Sequence, residues 1–221
     1  IEHDRIRTIH HRMAQRNATK PAQNDDILIR LGLRPGKYLI YPANFWRHKN
    51  HEMLLTAFGM ACHCGLAADI KLVCTGAPGT RQEWLISAAR AMNLGERVLF
   101  PGYLPETELA ALMARCRGVV FPSLYEGFGL PVIEAMAAGV PVACSNTTSL
   151  PEVAAGAAIM FDPRVPTQIA EAIRALVQDD ATCAELIKAG IKRAAEFADT
   201  ERMAGEYLDL FNFALSGDKR L

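Results

Sequence analysis

Short apolar runs alternate with stretches of helical spacing along most of this chain. The runs lie at 38–41, 70–74, 98–100, 118–121, 141–144 and 158–161. Several are apolar at every position rather than every second one, the pattern of strands covered by helices on both faces. Between them, residues 49–63, 80–92, 105–115, 129–138 and 149–155 have helix-like spacing. This rhythm predicts an α/β fold: a Rossmann-like, doubly wound parallel sheet of about six strands with helices on both faces. After Asp162-Pro163 the pattern becomes helical over 166–178, 181–197 and 200–215, which gives the domain a helical C-terminal end. In the last helix, Met203, Tyr207, Leu210, Phe211, Ala214 and Leu215 share one stripe, read as core packing with part of it exposed. Residues 1–36 carry little strand signal and read as an N-terminal extension or interdomain linker, leaving 37–221 as one domain.

Right-handed crossovers gather the C-termini of such strands on one edge, where open α/β sheets bind ligands. The segments that follow the runs there are small and turn-rich: Pro42-Ala43-Asn44, Thr75-Gly76-Ala77-Pro78-Gly79, Pro101-Gly102-Tyr103, Pro122-Ser123 and Ser145-Asn146-Thr147. The most informative stretch is Glu126-Gly127-Phe128-Gly129-Leu130-Pro131-Val132-Ile133-Glu134. It leads from an apolar run through a glycine turn into a helix, whose free amides and dipole end favour phosphate. Two carboxylates bracket the turn. A carboxylate beside phosphate is repelled by it, so these acids suit hydroxyl donors, and the local chemistry reads as sugar plus phosphate.

Composition narrows the partners. The 221 residues begin at Ile1 rather than Met, as a fragment or processed chain would. Half are hydrophobic, ample for a core, and Lys plus Arg equal Asp plus Glu at 24 each. Zero net charge argues against nucleic acid, whose binding needs a basic excess on some face. No apolar run is long enough for a membrane span, and the polar N-terminus has no signal-peptide stretch. The six cysteines are scattered, consistent with reduced thiols in a cytoplasmic protein. Cys62-His63-Cys64 has no second ligand pair, so no metal site is expected. His10-His11 is placed on an exposed segment, and Asp25-Asp26 and Asp179-Asp180 read as cap or loop carboxylates.

Residues 123–142, together with Leu150-Pro151-Glu152-Val153, resemble the Glu-x7-Glu signature and flanks of family 4 (group 1) glycosyltransferases with the GT-B fold, in their C-terminal, donor-binding half. The likeness covers about 38–180. Pro101-Gly102-Tyr103-Leu104-Pro105 resembles the family's base-facing loop. Asn44-Phe45-Trp46-Arg47-His48-Lys49-Asn50-His51 resembles its first loop in mannosyltransferase-like members.

The resemblance implies a nucleotide-sugar donor, GDP-mannose or a UDP-sugar, with no cofactor and no metal. Glu126 then meets hydroxyls of the donor sugar and Glu134 those of the ribose. Amides of Gly127, Phe128, Gly129 and Leu130 face sugar and diphosphate, with Gly76 on the neighbouring loop. Lys49 neutralises the leaving diphosphate, making it with Glu126 the catalytic pair, and main-chain groups near Tyr103 read the base. Many relatives carry an arginine where this chain has Ala43, and Arg47 compensates from the other side. Phe45 and Trp46 serve equally well as loop packing or ligand contacts. The family has a second, N-terminal domain that binds a glycan or lipid-linked acceptor, absent from this chain, so the isolated fragment is expected to be inactive. The full-length enzyme is expected in the cytoplasm or at the inner face of the membrane. A stand-alone, non-catalytic nucleotide-sugar-binding module is the alternative. A dinucleotide oxidoreductase would need Gly-x-Gly-x-x-Gly after the first run, which is lacking.

Overall fold

The computed structural model describes residues 6–12 and 26–216. Six strands form one sheet: β1 (Tyr38–Pro42), β2 (Lys71–Thr75), β3 (Val98–Gly102), β4 (Gly118–Phe121), β5 (Val142–Ser145) and β6 (Ile159–Phe161). Their spatial order is β3-β2-β1-β4-β5-β6, and every neighbouring pair is parallel. Tyr38, Leu39, Ile40 and Tyr41 are fully buried, as is every residue of β4 and β5. Burial on both faces is what a continuous apolar run encodes.

The connecting helices are α2 (His51–His63), α3 (Thr80–Ala91), α4 (Glu106–Arg115), α5 (Leu130–Ala137) and α6 (Leu150–Ala154), preceded by a short α1 (Asp26–Arg30). Beyond β6 run α7 (Pro166–Gln178), α8 (Asp180–Ala195) and α9 (Thr200–Ser216). α2 packs against α7, and α5 against α8. Asp179 caps α8, its carboxylate accepting from Thr182 N–H at 2.9 Å, as its place before a helical run suggests.

Strand order reverses between β1 and β4, so the chain leaves these two neighbours in opposite directions and opens a crevice at their C-terminal ends. Asn50 holds that crevice together. It sits at φ 61°, in the left-handed region that asparagine tolerates better than most residues. Its side-chain amide donates to Pro122 O at 3.0 Å and to Pro163 O at 2.8 Å. One buried side chain thereby ties the loop after β1 to the end of β4 and to the turn after β6.

Three features differ from the sequence reading. The core starts before residue 37: Ile27 and Leu28 of α1 and Leu33 are all buried in it. A helix of five residues is too short to register as a period. In α9, no described residue is buried, and Leu208, Phe211 and Leu215 are exposed. Helical period shows which residues share a face, not what covers that face. At the other end, His11 is exposed, whereas His10 is half-buried and bonds Glu152 Oε1 through Nε2 at 2.6 Å. The rings of His10 and His11 lie against Phe128. Residues 13–25, including Asp25, lie outside the described residues.

Asn50→Ala should leave two buried carbonyls without a donor and lower stability by about 1–3 kcal/mol. Urea unfolding midpoints of the two proteins check this.

Candidate functional site

Lys49 is placed by what precedes and follows it. After β1, Phe45 buries its ring against Phe100 and His51 and pins the loop down. A 3-10 turn, Arg47–Lys49, then brings the chain to Asn50 and the start of α2. Tyr41 Oη donates to Lys49 O at 2.8 Å. With its one proton used there, Tyr41 accepts from Ser123 Oγ, also 2.8 Å away. Burial above all holds the Tyr41 phenol well above its usual range, so it stays a neutral donor. Ser145 Oγ completes the chain, donating to Ser123 O at 2.6 Å. Ser123 and Ser145 are fully buried, so hydroxyls of three strand ends form one satisfied polar network beneath the crevice.

The loop after β4 lies directly over that network. Leu124 N–H donates to His48 O at 2.7 Å, joining it to the Lys49 turn. Two residues on, Glu126 turns inward and its Oε1 meets Lys49 Nζ at 2.6 Å. Only 14% of the lysine side chain and 11% of the glutamate remain exposed. The amine also lies 5.8 Å from the centre of the Phe121 ring. Opposite charges this far out of water stabilise each other strongly, and loss of either leaves a costly lone charge.

Gly129 ends the loop and caps α5. Its φ of 103° suits glycine, and a Cβ there would meet Leu150 Cδ2 at 2.5 Å. Pro131 follows in the first turn of α5, where its missing N–H costs nothing. Glu134 lies in the second turn of α5, half-buried.

The other sequence-predicted residues rim the same edge. Gly76 is pressed against the β1 loop: a Cβ would come within 2.6 Å of Ala43 O. Its N–H donates to Gly102 O, so the loop after β2 touches the end of β3, and Tyr103 stands out just beyond it, 74% exposed. Gly127 is open and Phe128 is half-buried, while Leu130 is exposed. Arg47 is exposed, and Trp46 is exposed where Phe45 is buried, so the two loop aromatics divide between rim and packing. An open depression lined by Glu171, Arg174, Ala175, Gln178, Asp179 and Asp180 lies along α7 and holds none of the predicted residues. Among the described residues no group of three or more His, Cys, Asp or Glu is arranged to hold a metal ion.

Sequence reasoning missed the residues that seat the two loops: Tyr41, Asn50, Ser123 and Ser145. The available signal was their type, small hydroxyls and an asparagine in loops that follow strands.

It also missed His51, at the start of α2. Its ring packs on Tyr41 and Phe45, and neither buried ring nitrogen has a hydrogen-bond partner. Burial first, then the Arg81 and Lys49 charges, push it down to about 3. The Ala43 backbone favours the protonated ring slightly, without the geometry to satisfy either nitrogen.

Two outcomes follow for stability. Lys49→Met and Glu126→Gln should each cost about 2–3 kcal/mol, and Lys49→Met/Glu126→Leu together should cost less than the sum. A double-mutant cycle by chemical denaturation measures the coupling. For His51, the unfolded chain takes up a proton near 6.5 and the native one only near 3. Stability is therefore intact above 6.5 and falls as pH drops from there, by up to about 1.4 kcal/mol per pH unit. His51→Phe should flatten that slope in unfolding midpoints taken between pH 7 and pH 4.

The chain is similar to proteins already known. O-antigen chain mannosyltransferase B of Escherichia coli is 40% identical over 120 residues, which are 54% of this chain and 28% of that protein. Serotype-specific mannosyltransferase WbdA of Escherichia coli is 31% identical over 180 residues, 78% of this chain and 22% of that one. This chain thus spans only about a quarter of the length of these curated relatives. Sucrose-phosphate synthase from Thermosynechococcus elongatus is 26% identical, superimposes with a TM-score of 0.74, and is matched over 88% of this chain and 50% of its own. The family described as glycosyl transferases group 1 matches residues 30–193, and this chain belongs to it.

Proposed function

We propose that this chain is the donor-binding half of a retaining glycosyltransferase that moves a hexose from a nucleotide diphosphate sugar to a glycan or lipid-linked acceptor. The observation that carries the reading is the Lys49–Glu126 contact at the crevice between β1 and β4. Lys49 meets the diphosphate and stabilises the charge that develops on it as the glycosidic bond breaks. Glu126, freed from the lysine, accepts from hydroxyls of the sugar. Glu134 holds the ribose hydroxyls, amides of Gly127, Phe128, Gly129 and Leu130 line the sugar and phosphates, and the Gly76 and Tyr103 loops flank the base. Arg47, exposed on the rim, supplies a second cation in place of the arginine that many relatives carry at the position of Ala43.

In a retaining transfer of this kind, the acceptor oxygen attacks the anomeric carbon on the face the diphosphate leaves. The acceptor proton passes to the departing phosphate oxygen, so no side chain is needed as general base. The reaction needs the acceptor held against the donor in a cleft closed to water, and the acceptor is assigned to the remainder of the longer protein. The mannosyltransferase relatives favour GDP-mannose as donor, ahead of UDP-sugars.

Calorimetric titration of the chain with GDP-mannose, UDP-glucose and UDP-GlcNAc tests the reading. One of these should bind, and NADH should not. Glu134→Ala should weaken both the free nucleoside diphosphate and the sugar nucleotide by about 1–3 kcal/mol. Glu126→Ala should weaken the sugar nucleotide while sparing the free nucleoside diphosphate. NADH binding in place of any sugar nucleotide would sink the proposal.

A further inference from the structure

Thr147, Thr148 and Ser149 of the β5–α6 turn, with Leu150 at the start of α6, grip the main chain of the loop that carries Glu126. Thr147 Oγ1 reaches Leu124 O at 3.4 Å. Thr148 Oγ1 accepts from Glu126 N–H at 3.1 Å. Ser149 Oγ lies 3.1 Å from Glu126 O and 3.0 Å from Phe128 O, donating to both. Leu150 closes over Gly129, with no space for a Cβ between them.

Thr148 stands apart within this set. Its φ is 54°, a left-handed conformation that a β-branched residue adopts only under constraint. Burial does not impose it, because Thr148 is exposed. Glycine or asparagine would take that backbone with less strain. What threonine adds is a hydroxyl, and the left-handed turn presents it to the amide of the residue whose carboxylate meets Lys49. The peptide preceding Glu126 is thereby held from one side by Thr148, while Ser149 holds the peptide following it.

We propose that Thr148 is a positioning residue: its hydroxyl fixes the Glu126 main chain so that the carboxylate presents to the sugar of the donor. The inference rests on the donor reading above and deepens it, since it locates discrimination between a sugar nucleotide and its free nucleoside diphosphate partly in the β5–α6 turn. Thr148 touches no reacting atom; it acts through Glu126.

The test uses three variants of this chain and the sugar nucleotide that the wild type binds best, with its nucleoside diphosphate as the second probe. Thr148→Val keeps shape and strain but removes the acceptor. It should lower sugar-nucleotide affinity about tenfold, leave nucleoside diphosphate affinity unchanged, and speed hydrogen exchange in the segment containing the Glu126 amide. Thr148→Ser should restore both readouts. Thr148→Gly relieves the strained φ, so it should melt no lower than Thr148→Val while discriminating just as poorly. Wild-type discrimination in the valine or glycine variant overturns the inference and leaves the donor reading standing. So does equal loss on both ligands, or a serine variant as weak as the valine one. A wild type that binds no sugar nucleotide removes the donor reading and this inference with it.

Discussion

Everything at the crevice depends on bringing two opposite charges together from loops 77 positions apart in the chain and almost out of water. Neither charge has a tolerable alternative in that position. An isolated ammonium or carboxylate at such depth would draw in water or displace its loop. The contact therefore dictates where both loops run. It also explains why so many neutral hydroxyls and amides lie beneath it, each fixing a backbone atom rather than a charge.

That underlayer follows from sheet topology. At the point where strand order reverses, β1 and β4 are neighbours whose helices depart in opposite directions, so no helix end fills the gap. Tyr41, Ser123 and Ser145 come from the ends of β1, β4 and β5, and their hydroxyls satisfy one another and two carbonyls. Asn50 extends the same service to the turn beyond β6. The polar groups needed to seat the ion pair are thus supplied by the strand ends that create the crevice.

Much of this was legible in the residues. The six apolar runs became six strands within a residue or two of their expected limits, because runs such as 38–41 and 118–121 are buried on both faces and have no competing period. The place of Glu126 between β4 and α5 was legible because a strand, a glycine turn and a helix start frame it. What was not legible depends on contacts between distant segments. The approach of Lys49 to Glu126, the role of Thr148 and the burial of His51 all arise from loops meeting across the sheet edge, which no local pattern records. α1 was missed because five residues cannot show a period. The α9 stripe was only half readable, since its own sequence says nothing of a covering surface.

Gly76 has a consequence for how such a site can diversify. A Cβ on it would meet the Ala43 carbonyl oxygen at 2.6 Å and the Asn44 α-carbon at 2.9 Å, so no side chain can be introduced without parting two loops. That stretch of the rim stays bare backbone, a vocabulary that mutation cannot edit one letter at a time. The freely projecting rings of Trp46 and Tyr103 face no such limit, which leaves the scaffold constant while its rim evolves.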